Sequence, residues 1–201
     1  MNMRDDAILL GTFDIAALQA QVAALTEADW TADTSRQQIF DAHARTHAIR
    51  LIFDTDYRHG DPTTHPAFDD FADLLDPLMT HIRSFYLQSL RQRRVAEKHG
   101  PGYFVRIILT RLAAGAEITP HADGGHSLRR CHRIHMPIIT HPDCQFTVGA
   151  RTWNMPAGEM WEINNRRIHA VHNGSAQPRV HLILDYVQPG ETVFDLEPLT
   201  A

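Results

Sequence analysis

After Gly102 the chain breaks into short apolar stretches divided by turn residues, and this pattern limits its fold more than any other feature. YFVRIILTRL (103–112), EITPH (117–121), RIHMPIIT (133–140), CQFTV (144–148), GEMWEI (158–163) and RVHLILDYV (179–187) all have a β-like texture, with Gly, Pro, Asn and Asp between them. Many short strands punctuated in this way predict a sandwich or barrel. A jelly roll is the arrangement expected here, with helices from the first half packed on one sheet. In that first half Ile15, Leu18, Val22 and Leu25 recur at helical spacing after Asp14, a candidate N-cap. A second helix is expected from about Pro66 to Arg91, with Phe68, Phe71, Leu75, Leu78, Ile82 and Phe85 as its apolar stripe and Pro77 bending or splitting it. HAIRLIFDTD (47–56) reads as a strand. The whole chain, residues 1–201, is expected to be a single domain. Its mostly helical part, 1–100, would pack on a core spanning 101–190.

Composition excludes several function classes. The net charge of −5 suggests no nucleic-acid partner. No apolar run reaches the length of a membrane span, and acidic residues interrupt the N-terminus, which makes a poor signal peptide. Cys131 and Cys144 are too few for a disulfide framework and predict a reducing, cytoplasmic setting. Histidine is the anomaly, with 14 residues against 4 Tyr and 3 Trp. It is the commonest metal ligand and the usual proton carrier near neutral pH.

HADGGH (121–126) places His121 and Asp123 two residues apart, so in an extended segment both side chains reach the same side. Two histidines and one carboxylate on one face of an ion form the triad of non-haem Fe(II) oxygenases, which leaves the opposite face open. H-x-D alone is common by chance. WEINNRRIHAVHNGSAQPRVHLILDYV (161–187) adds His169 and His172, then Arg179 ten residues beyond His169. In a jelly roll the third ligand comes from a late strand folded back beside the first pair. An arginine fork such as that of Arg179 suits a buried carboxylate through two parallel charge-assisted hydrogen bonds.

The segments LTRLAAGAEITPHAD (109–123), RIHMPIIT (133–140), WEINNRRIHAVHN (161–173) and RVHLILDY (179–186) together resemble the aspartyl/asparaginyl β-hydroxylase family of Fe(II)- and 2-oxoglutarate-dependent dioxygenases. The resemblance runs from about His47 to Val187. It implies a mainly β fold, a double-stranded β-helix (jelly roll, cupin-like) core with N-terminal helices. It implies metal ligands at His121 and His169, joined by Asp123, and 2-oxoglutarate contacts at Thr110, Arg133, His135 and Arg179. The animal protein hydroxylases lack a carboxylate at the position of Asp123, so a complete triad is expected here, which also argues against a halogenase. A short insertion before Arg133 leaves Arg129 and Arg130 as competitors for its role. His172 should face away from the metal if 169–173 is extended, and His126 should line the mouth of the site.

The implied activity is hydroxylation of an unactivated C–H bond, with 2-oxoglutarate and O2 as cosubstrates and Fe(II) as the metal. The substrate would be an Asp or Asn residue in a peptide or protein, or a free amino acid. Arg50, Arg130 and Arg166 are candidate substrate contacts, with Arg129 and Arg167 nearby. Other readings stay open: a lipid or other small-molecule hydroxylase, a cupin-like metal-binding protein without oxygenase activity, a zinc hydrolase using Glu159 or Glu162 as base, or a protein whose site has decayed.

Overall fold

The strand-forming stretches pair into two antiparallel sheets in the computed structural model, which describes residues 3–33, 45–55, 58–125 and 127–193. The chain order is β1 (Ala7–Thr12), α1 (Ala16–Ala23), α2 (Glu27–Thr31), β2 (Thr46–Phe53), β3 (Thr63–Thr64), α3 (Ala72–Phe85), α4 (Leu90–His99), β4 (Tyr103–Leu112), β5 (Glu117–His121), β6 (His132–Ile139), β7 (Cys144–Val148), β8 (Arg151–Trp153), β9 (Glu159–Ile163), β10 (His169–Asn173) and β11 (Arg179–Val187). The larger sheet has the order β1-β9-β6-β11-β4-β2-β3 and the smaller one β5-β10-β7-β8. Two antiparallel sheets facing each other form the expected jelly roll.

Alternation along the strands divides the larger sheet into two unlike faces. Val180, Leu182 and Leu184 of β11, Ile107 and Leu109 of β4, and Ile134, Met136 and Ile138 of β6 join one apolar cluster with Leu18 and Val22 of α1 and Leu75, Leu78, Met79 and Ile82 of α3. The alternate residues face the smaller sheet. There β11 presents Arg179, His181, Ile183 and Asp185, and the register sets Thr110 beside His181, His135 beside Ile183, and both Arg106 and Arg133 beside Asp185. The helix-covered face holds the fold together. The other face collects polar groups.

The N-terminal part differs from expectation in three places. Residues 7–12, read with the helical half, form β1, which pairs with β9 and closes one end of the larger sheet. The expected helix 66–91 is divided: a 3-10 turn spans Pro66–Phe68, and α3 and α4 are separate. Pro77 does not divide it. It lies exposed within α3, where water can satisfy the Asp73 carbonyl that loses its partner. The break falls where Ser89 and Gln92 exchange side-chain and backbone hydrogen bonds in a capping box that starts α4. β2 covers 46–53 of the expected strand, whose last residue, Asp56, lies outside the described residues.

On the helix side, His132 ties three elements together. Its Nδ1 lies 2.6 Å from Glu162 of β9, its Nε2 is 3.3 Å from Glu191, and the Tyr86 hydroxyl donates to Glu162 at 2.7 Å. Burial opposes the imidazolium, but the two carboxylates more than reverse this and raise its pKa from 6.5 to about 9. A histidine whose folded pKa is raised contributes stability that is full below the unfolded value and lost as pH rises through the folded one. Unfolding free energy from urea titration should therefore fall between pH 6.5 and about 9. The fall should flatten in His132→Gln. An identical slope in that variant would assign the dependence to other groups.

Candidate metal centre

His121 closes β5 and His169 opens β10, and the register sets them directly opposite each other. Their ring centroids are 4.3 Å apart. His121 Nδ1 lies 2.7 Å from the Thr119 carbonyl and His169 Nδ1 lies 3.0 Å from the Arg167 carbonyl. Each Nδ1–H donating to a carbonyl fixes the tautomer with the lone pair on Nε2, the arrangement that orients a metal-ligating histidine. Burial keeps the His169 pKa below the ordinary value, so its ring is neutral near pH 7. β5 ends at His121, so Asp123 is not carried there by strand alternation as expected. Its backbone N–H donates instead to the Asn165 carbonyl at 3.0 Å. This sets Asp123 Oδ1 at 3.9 Å from His121 Nε2 and 3.8 Å from His169 Nε2. One donor atom from each of the three residues lies within 4.8 Å of the other two. Two imidazole nitrogens and a carboxylate oxygen on one side make a donor set suited to Fe(II).

The cavity next to this cluster is lined by Thr46, Thr110, His135, Phe146, Arg179 and Ile183 among others. Arg179 is 4% exposed and has no hydrogen bond or carboxylate partner among the described residues. The Phe146 ring lies 5.8 Å from its guanidinium carbon. Burial pulls its pKa down from the ordinary guanidinium range to about 9, so the charge persists at neutral pH but is poorly compensated. Both ring nitrogens of His135, Nδ1 of His181 and Oγ1 of Thr46 are buried without hydrogen-bond partners among the described residues. Burial and the nearby arginine charges hold both histidines well below their ordinary pKa, hence neutral. Unpaired buried polar groups each cost about 1–3 kcal/mol. An anionic ligand of the right length would relieve several of them at once.

Arg133 faces the cavity but is already engaged. Its Nε and Nη2 donate to the two oxygens of Asp185 at 2.8 Å each, and its Nη1 donates to Asp123 Oδ2 at 2.7 Å. All three nitrogens therefore serve carboxylates of the chain, and among the described residues the second N–H of Nη1 and of Nη2 carries no such bond, on a side chain that lines the cavity. Its competitors Arg129 and Arg130 are exposed on a turn. The structure also keeps the three candidate substrate contacts out of the cavity lining. Arg50 pairs with Asp33 at 3.0 Å and stacks over Phe53, while Arg130 and Arg166 are exposed. His172 is exposed and Val171 buried, as strand parity requires. His126 lies outside the described residues. Glu159 and Glu162 do not line the cavity; Glu159 accepts from Trp161 Nε1, and Glu162 sits on the helix side with His132 and Tyr86.

Thr46, His181, Asp185, Arg106 and Asp54 were not singled out from the sequence. His181 and Asp185 did carry a signal, because polar residues at even spacing from Arg179 within an apolar strand must share its face.

Residues 90–189 match the family described as aspartyl/asparaginyl β-hydroxylase. No curated protein matches the chain by sequence. Among solved structures, an oxidoreductase of the 2OG-Fe(II) oxygenase family from Burkholderia pseudomallei is similar at 15% identity, with 93% of this chain and 96% of that one covered and a TM-score of 0.53. AviO1 from Streptomyces viridochromogenes gives 16% identity, coverage of 94% and 92%, and a TM-score of 0.55. A prolyl-4-hydroxylase from Pseudomonas putida gives 14% identity, coverage of 93% and 95%, and a TM-score of 0.54. At these identities the likeness is one of fold.

Proposed function

Because residues 90–189 belong to the aspartyl/asparaginyl β-hydroxylase family of Fe(II)- and 2-oxoglutarate-dependent dioxygenases, we propose that this chain hydroxylates an unactivated C–H bond of an amino-acid side chain, either an Asp or Asn residue in a peptide or protein or a free amino acid. His121, Asp123 and His169 hold the metal through Nε2, Oδ1 and Nε2. Arg179 pairs with the distal carboxylate of 2-oxoglutarate, and Thr110 lies within the same cavity to hydrogen-bond it. His135, with two unpartnered ring nitrogens, faces the cosubstrate. Iron held by these three residues, with 2-oxoglutarate, would supply an oxidative decarboxylation that releases CO2 and puts one oxygen atom of O2 into succinate and the other into the C–H bond. The protein binds and orients the two carboxylate ends and excludes water, with the apolar walls at Phe146, Val171 and Ile183 as the drying surface.

Arg179 carries this reading. A buried guanidinium without a hydrogen-bond or carboxylate partner among the described residues, in the cavity that borders a His–Asp–His cluster, is explained by a ligand anionic at one end and metal-binding at the other. A cupin-like metal protein would have no need of that charge. The same reading takes 1–201 as one domain, since β1 and β2 extend the sheet that carries the cavity. Cys131 and Cys144 are free and buried, which suits a cytoplasmic setting. Among the described residues no helix is long and apolar enough to cross a membrane.

The test is anaerobic titration of 2-oxoglutarate into the Fe(II)-loaded chain. A visible metal-to-ligand charge-transfer band that saturates is expected. Iron-loaded, folded protein that gives no band would overturn the assignment in favour of the cupin-like reading.

A further inference from the structure

Asp123 and the two histidines are not held alike. Each histidine is fixed by its own strand and by a carbonyl at Nδ1, whereas Asp123 lies beyond the end of β5 on an irregular segment. A carboxylate there could turn either oxygen, or both, towards an ion. One contact limits it: Arg133 Nη1 donates to Oδ2 at 2.7 Å, while Oδ1 faces both Nε2 atoms.

Arg133 is itself unable to swing. Asp185, with no solvent exposure, accepts from it through two parallel bonds of 2.8 Å. The two residues are directly paired across β6 and β11, and Asp185 is paired on its other side with Arg106 of β4. Arg106 in turn forms an ion pair with Asp54, which His59 contacts at 2.6 Å. A row of alternating charges therefore crosses three hydrogen-bonded strands and ends on Asp123. The Arg133–Asp185 and Asp185–Arg106 pairs are set by sheet register.

We propose that Arg133, locked by Asp185, is a positioning residue that makes Asp123 a single-oxygen metal ligand: it occupies Oδ2, aims Oδ1 at the ion and leaves the remaining coordination positions to cosubstrate and O2. The inference rests on the metal-site reading above but not on 2-oxoglutarate binding. Groups that orient metal ligands in this way typically contribute about 10–100-fold to metal affinity.

The experiment is Mn(II) binding to the full chain without 2-oxoglutarate, followed by titration and by the electron paramagnetic resonance spectrum of the bound ion. Arg133→Gln and Asp185→Asn should each weaken Mn(II) binding about 10–100-fold and alter the spectrum. In an Asp123→Ala background neither should weaken it further, because their effect passes through the carboxylate. Arg133→Lys keeps the charge without the fork and should fall between the parent and Arg133→Gln. It also serves if Arg133→Gln does not fold. Equal losses with and without Asp123, or no loss at all, would overturn the positioning role. A parent that binds Mn(II) but gives no charge-transfer band with 2-oxoglutarate would overturn the cosubstrate assignment and leave this inference standing. A parent that binds no Mn(II) overturns both.

Discussion

Arg179→Met is expected to make the metal-free protein harder to unfold and to remove its affinity for 2-oxoglutarate. The two effects share one cause. Arg179 is 4% exposed and without a partner among the described residues, so the folded chain carries the desolvation cost of its charge with nothing to offset it. Methionine keeps an unbranched apolar stem and removes the charge. Replacing poorly compensated buried charge by apolar groups is often stabilising by about 1–4 kcal/mol. Truncating one partner of a buried, hydrogen-bonded charge pair costs about 2–5 kcal/mol, on the order of 30- to 5000-fold in Kd. Urea unfolding of the metal-free protein reads the first effect, and the anaerobic charge-transfer titration reads the second. A variant that is less stable and binds 2-oxoglutarate as before would show that the guanidinium is structural. The trade-off is characteristic of a binding group kept in place at the expense of stability.

His169→Ala should abolish metal binding. Its Nε2 is one of three donor groups, and its ring is held at Nδ1 by the Arg167 carbonyl. Loss of a ligand should exceed the roughly 100-fold upper range seen for groups that only orient ligands. In a thermal or urea experiment the stabilisation given by metal, about 2.7 kcal/mol at a hundred times Kd, should vanish, along with succinate formation. His172→Ala is the matched control: it lies three residues on, exposed on the other face of β10, and should leave both unchanged. Retention of metal-dependent stabilisation in His169→Ala would mean that the ion sits elsewhere.

Much of this site was legible locally. His121, His169 and Arg179 stand in short segments whose strand character follows from their neighbours, and strand parity alone turned His172 away from His169. The extents of β5, β7 and β11 match the stretches read from residue type alone. The N-terminal strand was not legible, because a short apolar run such as AILLGT suits a helix or a strand equally well and only an open sheet edge decides between them. Arg133 was recognised as part of the site, but its aspartate partners were not. Its neighbours in sequence say which way it points. They do not say that an aspartate 52 positions away lies directly opposite it.

The sequence by itself determined the strands after Gly102, which face their side chains take, and that two histidines and an arginine suited to metal and carboxylate lie on them, with an acid just beyond one end. Periodicity, turn residues and side-chain chemistry are local properties, and they survive without knowledge of the fold. Only the tertiary structure decided the partners: His121 opposite His169, Arg133 between Asp185 and Asp123, and Arg179 without a carboxylate among the described residues. Sheet register is a long-range outcome of packing, in which a shift of one residue would turn every side chain to the other face. That register separates an arginine paired with two aspartates from one with no carboxylate beside it among the described residues.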